Sequence, residues 1–368
     1  MRVGFYLPDF SGGGNERAAL MFARHWPPEV ETPTILVRST DGPFLDEAAA
    51  ACEVVGLGIP SKGWRASLWT PRRLGSALKS RRIDALVGFL SLPSLVTAKA
   101  WARDTKLVWS VQTAFLRPTG TVGEGRGELA KQRLQALAVR AALRGVDGFH
   151  VPTASLVEGL RLDTYARPIG FVPNGVEPAL LEMASTGRAA PPVPRIVSVG
   201  RLAPVKRFDV LIEAVRRVLA VRPVELTIYG VGPLRQSLED DVRATGLDGV
   251  VRFGGFEHDL TRVYGDADVF VLASDHEAFG NVVIEALAFG LPAVVTDAPF
   301  GPAEIVDYGR YGLVVERGRA DLLAEAILQA LPGGAEHDRL SNGARARAAG
   351  YAAPLVARRL HDFLSEIV

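Results

Sequence analysis

The chain has 368 residues, long for one hydrophobic core and comfortable for two domains. Apolar residues make up 48% and charged residues 23%, an ordinary globular balance, and the single cysteine, Cys52, excludes a disulfide framework and any cysteine-based zinc cluster. The net charge of +1 hides an asymmetry: residues 1–190 carry 23 Lys and Arg against 17 Asp and Glu, a balance of +6, and the remaining 19 against 24 leave −5. The first half is therefore expected to meet an anionic partner.

The opening "MRVGFYLPDF" lacks the long apolar run of a signal peptide and reads as a strand. "TPTILV", "ALVGFL", "KLVWSV", "GFHVP" and "IGFVP" follow as further strands, each separated by a longer helical pattern. The apolar stretch Ala85 to Ala98 is too short to span a bilayer and contains a proline. A soluble protein of a reducing compartment is expected. After "ASTGRAAPPVP" (Ala184 to Pro194), a linker composition, the pattern resumes with "RIVSVG", "ELTIYG", "VVRFGG", "DVFVLA" and "PAVVTD". Continuous apolar runs mark strands buried on both faces of a parallel sheet. Strands alternating with helices predict two α/β, doubly wound, Rossmann-like domains that face each other across a cleft. The expected bounds are residues 1–183 and 195–353, joined by 184–194, with a last helix over 354–368 packing back on the first domain.

Four stretches carry candidate chemistry. "DFSGGGNERAALMFARHW" (Asp9 to Trp26) follows the first strand and opens a helix, so its glycines let backbone approach a phosphate; a plain tight turn explains it equally well. It is not G-x-G-x-x-G, since Arg17 holds the last position, and no P-loop motif occurs. In "RIVSVGRLAPVKRFDVLIEAV", Arg201 and Lys206 stand just after a strand, where a diphosphate would meet them; two solvated charges are the alternative. "ELTIYGVGPLRQSLE" and "VVRFGGFEHDL" end in glycines that admit a flat base against bare backbone, although chain turning alone explains either. "SDHEAFGNVVIEALAFGLP" is a strand end, a loop and a helix, with the amides of Phe279, Gly280 and Asn281 at the helix N-terminus. There Glu285 could hold a ribose diol and Glu277 a hexose.

The combination of "GGG", "VPNGVE" (Val172 to Glu177), "GRLAPVKRFDVLIEA", "YGVGPL" and the E-x7-E of "EAFGNVVIE" resembles a family 4 glycosyltransferase of the GT-B fold, from about Met1 to Leu331. The resemblance implies an anomer-retaining transferase that uses a nucleotide-diphosphate sugar and needs no metal or other cofactor. It implies that Arg201, Lys206 and Glu277 are catalytic, the two cations neutralising the diphosphate. It also implies a donor-binding set of Gly13, Gly14, Arg252, Phe253, Ala278, Phe279, Gly280, Asn281, Val282 and Glu285. "VGFLSLPSLVTAKAW" and "TDAPFGPAEIVDYGRYGLVV" look most like the branch that builds lipid-linked or cell-surface glycans from UDP-sugars. Many relatives carry a histidine after the "KLVWSV" strand; here Gln112, which is neither acid nor base, would touch sugar or acceptor. The implied partners are a UDP-sugar, a glycan or lipid-linked acceptor and an anionic membrane surface, with no nucleic acid. The implied location is cytoplasmic and peripheral at the inner membrane. A sugar-nucleotide epimerase, a non-catalytic sugar-nucleotide binding module and a two-carboxylate glycosidase stay open as rivals.

"RGELAKQRLQALAVRAALRG" (Arg126 to Gly145) has helical periodicity. Arg126, Arg133, Arg140 and Arg144 fall on one stripe beside Leu134, Leu137, Ala138 and Ala141, with Lys131 on the far flank. Such a strip suits an anionic headgroup layer or a lipid diphosphate; a core helix with a solvated basic edge is the alternative.

Overall fold

The structure is a computed structural model, and it describes residues 1–10, 14–60, 64–89, 92–112, 134, 136–182 and 192–368. Two compact units emerge: Met1–Gly175 together with Ala353–Val368, and Val176–Ala352. Most of the expected linker lies outside the described residues. The division falls ahead of it because the helix Pro178–Glu182 joins the second unit, where Leu180 and Leu181 pack on that unit's core.

In the first unit the apolar runs form β1 (Val3–Leu7), β2 (Thr34–Val37), β3 (Val54–Gly56), β4 (Ala85–Gly88), β5 (Lys106–Ser110), β6 (Gly148–Val151) and β7 (Ile169–Phe171). Among the described residues they make one parallel sheet in the order β3-β2-β1-β4-β5-β6-β7. Every residue of β1 and β4 is buried, as strands covered on both faces require.

The helix Ala353–Ile367 belongs to this unit. Its residues Val356, Leu360, Phe363 and Leu364 recur at helical spacing and join the core containing Phe5, Phe22 and Val172. Glycines make room for it. A Cβ on Gly170 would stand 2.5 Å from the Phe363 ring, and one on Gly175 would stand 2.7 Å from Val356 Cγ2. The glycine of "VPNGVE" is thus a seat for the last helix.

The second unit contains β8 (Arg195–Val199), β9 (Glu225–Tyr229), β10 (Val251–Gly255), β11 (Val269–Leu272), β12 (Ala293–Thr296) and β13 (Leu313–Val315). The described strands form a parallel sheet in the order β10-β9-β8-β11-β12-β13. The order reverses between β8 and β11, and loops leaving the carboxyl ends of such neighbours diverge and leave a ligand crevice. The helix Phe208–Leu219 shows how the local sequence builds this layer. Phe208, Leu211, Ile212, Val215 and Val218 form its buried stripe, each such side chain contributing about 1.5–3 kcal/mol. On its outer face Glu213 pairs with Arg216 and Arg217.

No helix among the described residues is long and apolar enough to cross a membrane.

Candidate functional site

β8 and β11 deliver the two chemically loaded loops of the second unit to the same place. Beyond β8, the 3-10 turn Pro204–Lys206 brings Lys206 back over Gly200, where a Cβ would stand 3.4 Å from the lysine's Cδ and Cε. Beyond β11, Glu277 turns toward it, and Lys206 Nζ donates to Glu277 Oε1. Both side chains are largely buried, at 18% and 12% exposure, so the pair is shielded from solvent screening. Ser274 Oγ donates to the same oxygen at 2.7 Å, and the Ser274 carbonyl accepts Thr296 Oγ1 at 2.6 Å. Asp275 N–H donates to Val205 O at 2.9 Å and fastens the two loops together.

Glu285 lies in the helix Asn281–Ala288, whose N-cap is Gly280. Gly280 has φ +102°, a backbone that L side chains rarely adopt, and no side chain caps this helix. Tyr264, fully buried, donates its hydroxyl to Glu285 Oε2 at 2.9 Å. A second backbone segment abuts the turn: a Cβ on Gly301 would stand 1.7 Å from Phe279 O, and the preceding Phe300 sits at φ +85°. Positive φ at a bulky residue marks stored strain, and here it borders the Glu277–Asn281 loop.

The first unit holds a buried polar chain at the carboxyl ends of β5 to β7. His150 Nε2 lies 2.8 Å from Val172 O, an acceptor only, so Nε2 carries the proton. Nδ1 then accepts from Ser110 Oγ at 2.9 Å. Ser110 accepts from Gln112 Nε2 at 3.2 Å, and Gln112 Oε1 accepts from Asn174 Nδ2 at 3.2 Å. Every donor thus points toward Val172. Complete burial pushes the His150 pKa down from 6.5 to about 4, so the ring is neutral. Gln112 is only 8% exposed and both ends of its amide are engaged within the unit.

Two family models match: "Glycosyl transferases group 1" over residues 187–347 and "Glycosyl transferase 4-like domain" over residues 13–175. The chain is a group 1 glycosyltransferase. It is 28% identical to the lipopolysaccharide core biosynthesis glycosyltransferase LpsE of Rhizobium meliloti over 77% of this chain and 81% of that one. It is 30% identical to the exopolysaccharide phosphotransferase SCO2592 of Streptomyces coelicolor, over 78% of this chain but only 29% of that longer protein. The structure of Anabaena Alr3699/HepE in complex with UDP and glucose superposes with a TM-score of 0.79 at 20% identity, covering 99% of each chain. That likeness establishes the GT-B fold.

Within this glycosyltransferase the candidate residues separate. Lys206, Glu277, Ala278, Gly280, Asn281, Val282 and Glu285 share the crevice side of the second unit, on the loop and helix that follow β11 and the turn that follows β8. Arg201 is exposed beside them, and makes no ion pair among the described residues. Phe279 contributes backbone only, because its ring is buried against Tyr351 at a centroid distance of 6.0 Å. Arg252 stands apart: it is exposed near the amino end of the edge strand β10 and pairs with Glu225 at 3.5 Å. Phe253 packs on the core. Gly230 and Gly232 are needed by the chain itself, since their Cβ atoms would stand 1.9 Å from Gly200 O and 2.3 Å from Leu202 O. These glycines admit the neighbouring loop.

In the first unit Gly14 opens the helix Gly14–Arg24, with no described atom within 4 Å of where a Cβ would lie, and Glu16 is buried in the first turn. Gly13, Arg126, Lys131 and Arg133 lie outside the described residues. Arg140 and Arg144 are exposed, as are Leu134 and Leu137 at 67% and 60%. Tyr264, Ser274, Arg207 and Asp275 belong to the site yet were not singled out by sequence. Only the strand–loop position of the last three could have flagged them.

Proposed function

We propose that the protein is a retaining, metal-independent transferase that moves a hexose or N-acetylhexosamine from a UDP-sugar to a hydroxyl of a glycan or lipid-linked glycan. The observation that carries the reading is the Lys206–Glu277 pair, held by Ser274 where the strand order reverses. A diphosphate arriving at the end of β8 competes with Glu277 for Lys206. As the lysine turns to phosphate, Glu277 is released to accept hydroxyls of the transferred sugar. Arg201, exposed and without an ion pair among the described residues, adds a second cation, and the Gly280-capped helix directs its dipole to the same charge. Glu285, oriented by Tyr264, would accept the ribose diol. The acceptor hydroxyl attacks the anomeric carbon on the face from which the diphosphate leaves, and a phosphate oxygen takes its proton.

UDP as the nucleotide is supported by the HepE complexes with UDP and with UDP-glucose, and a cell-surface glycan acceptor by the lipopolysaccharide core role in LpsE's name. The test is incubation with UDP-glucose, UDP-N-acetylglucosamine and GDP-mannose, following free nucleotide and the anomeric proton by NMR. Slow hydrolysis or transfer with retained configuration, unaffected by EDTA, is expected. An isomerised donor would mean an epimerase, and tight binding without turnover a binding module.

The first unit supplies a membrane contact in this reading. Exposed Leu134 and Leu137 project beside exposed Arg140 and Arg144, an apolar strip edged by cations that fits an anionic headgroup layer at the inner membrane surface. Co-sedimentation with phosphatidylglycerol vesicles at low salt, abolished by Leu137→Asp with Arg140→Glu and Arg144→Glu, tests it.

A further inference from the structure

Arg207 follows the catalytic lysine and occupies left-handed backbone, φ 49° and ψ 44°. An arginine there is strained where glycine would be relaxed, so its side chain must give something in return. Its guanidinium is almost fully engaged. Nη1 donates to both carboxylate oxygens of Asp275, at 3.2 and 3.1 Å, while Nε and Nη2 reach Asp209 in the first turn of the following helix. Asp275 lies between Ser274 and His276, two residues before Glu277. Its carbonyl accepts Arg317 Nη1 at 3.3 Å, and the Arg317 N–H donates to Asp297 Oδ1 at 2.8 Å. The connected groups sit just beyond the carboxyl ends of β8, β11, β12 and β13. They form a strap along the rim of the crevice.

We propose that Arg207 is a positioning residue for glycosyl transfer, which through Asp275 fixes the separation of Lys206 and Glu277. The inference rests on the donor-site reading above. Lys206 and Glu277 hold each other directly, and that contact is the one a diphosphate displaces. Once Lys206 turned away, the Asp275 N–H to Val205 O bond would join the loops by backbone alone, and the side-chain tether from Arg207 keeps the sugar oriented at the moment of reaction. The Arg207–Asp275 contact touches neither reacting group and persists through the exchange. Asp209 grips the same guanidinium plane at Nε and Nη2, so Nη1 is presented to Asp275 at a fixed distance and angle, which a lysine with its one nitrogen cannot do.

The experiment compares Arg207→Gly, Arg207→Lys, Asp275→Asn, Asp209→Asn and the Arg207→Gly/Asp275→Asn double variant with the parent protein. Three readouts are taken: UDP affinity, turnover at saturating UDP-sugar, and amide hydrogen exchange over residues 275–281. Arg207→Gly relieves the backbone strain, so it should fold with a melting temperature within about 3 °C of the parent. Its turnover should fall roughly tenfold or more while UDP affinity changes less than about threefold. Asp275→Asn should match it, the double variant should be no worse than either, and Arg207→Lys should recover part of the loss. Unchanged turnover in Arg207→Gly, additive losses in the double variant, or Asp209→Asn reproducing the defect in place of Asp275→Asn would each overturn the proposal. If the parent releases no nucleotide from any sugar donor, the donor reading itself fails. Hydrogen exchange then decides the strap: faster exchange at 275–281 in Arg207→Gly supports it, and unchanged exchange removes it.

Discussion

The phenol of Tyr264 and the carboxylate of Glu285 meet at 2.9 Å from two different helices, Leu260–Tyr264 and Asn281–Ala288. Tyr264 is itself fixed by packing: its ring lies against Phe289 at 5.4 Å and Phe270 at 6.2 Å. The carboxylate proposed to grip the ribose is therefore aimed before any nucleotide arrives. Tyr264→Phe keeps the packing and removes one charge-assisted donor. Nucleotide affinity should fall about fivefold, near 1 kcal/mol, with turnover at saturation largely retained. Titration calorimetry with UDP checks it, and an unchanged affinity would mean that Glu285 is held by other contacts.

Breaking the Lys206–Glu277 pair on one side should be worse for stability than removing both charges. Lys206→Met leaves Glu277 only 12% exposed, with no cation and a single Ser274 hydroxyl among the described residues. A cost of about 1–3 kcal/mol is expected, most of it recovered in the Lys206→Met/Glu277→Gln double variant. Turnover should be lost in Lys206→Met, in Glu277→Gln and in the double variant. Thermal unfolding of the set decides: a double variant as unstable as the sum of its parts would show that the pair is not compensating.

His150 gives the fold a pH dependence of defined sign. Its folded pKa of about 4 lies below the ordinary 6.5, so the unfolded chain binds the proton first as pH falls. Its contribution to stability is complete above pH 6.5 and declines between 6.5 and 4. From pH 7 to pH 4.5 the loss should be roughly 2–3 kcal/mol. Urea unfolding at the two pH values measures it, and His150→Gln should flatten the difference by about that amount.

Two glycines with positive φ separate close packing from simple turning. Gly230, at φ +140°, has Gly200 O within 1.9 Å of where a Cβ would lie, whereas Gly246, at φ +70°, has nothing within 4 Å. Gly246→Ala should cost about 1 kcal/mol of backbone strain. Gly230→Ala should cost on the order of 3 kcal/mol or more and distort the Gly200–Leu202 loop that carries Arg201. Equal melting temperatures for the two variants would refute the role assigned to Gly230.

The alternation of strand and helix was legible because β1, β4, β11 and β12 are buried on both faces and so read as unbroken apolar runs. β3 and β13 were not, being edge strands of three residues each with none fully buried, too short to impose a pattern. The placement of Lys206 and Glu277 on loops and of Glu285 in the helix after β11 was legible because each follows a strand end. Tyr264 was not, since its relation to Glu285 depends on how two helices pack. Arg252 entered the donor set through the family resemblance, and the structure sets it near the amino end of β10, paired with Glu225. Neither packing nor direction along a strand is written in local spacing.

The last helix has a consequence for how the molecule is made. Its seat on Gly148, Gly170 and Gly175 belongs to the unit whose other residues end at Gly175, yet Ala353–Ile367 leaves the ribosome only after all of Val176–Ala352. At ordinary elongation rates that interval is roughly ten seconds or longer. During it the first unit must hold its shape, or wait partly formed, with the apolar bed of Phe363 and Leu364 uncovered. The unit begun first is the one finished last, so a nascent chain stalled inside the second unit would present that bed to holding chaperones.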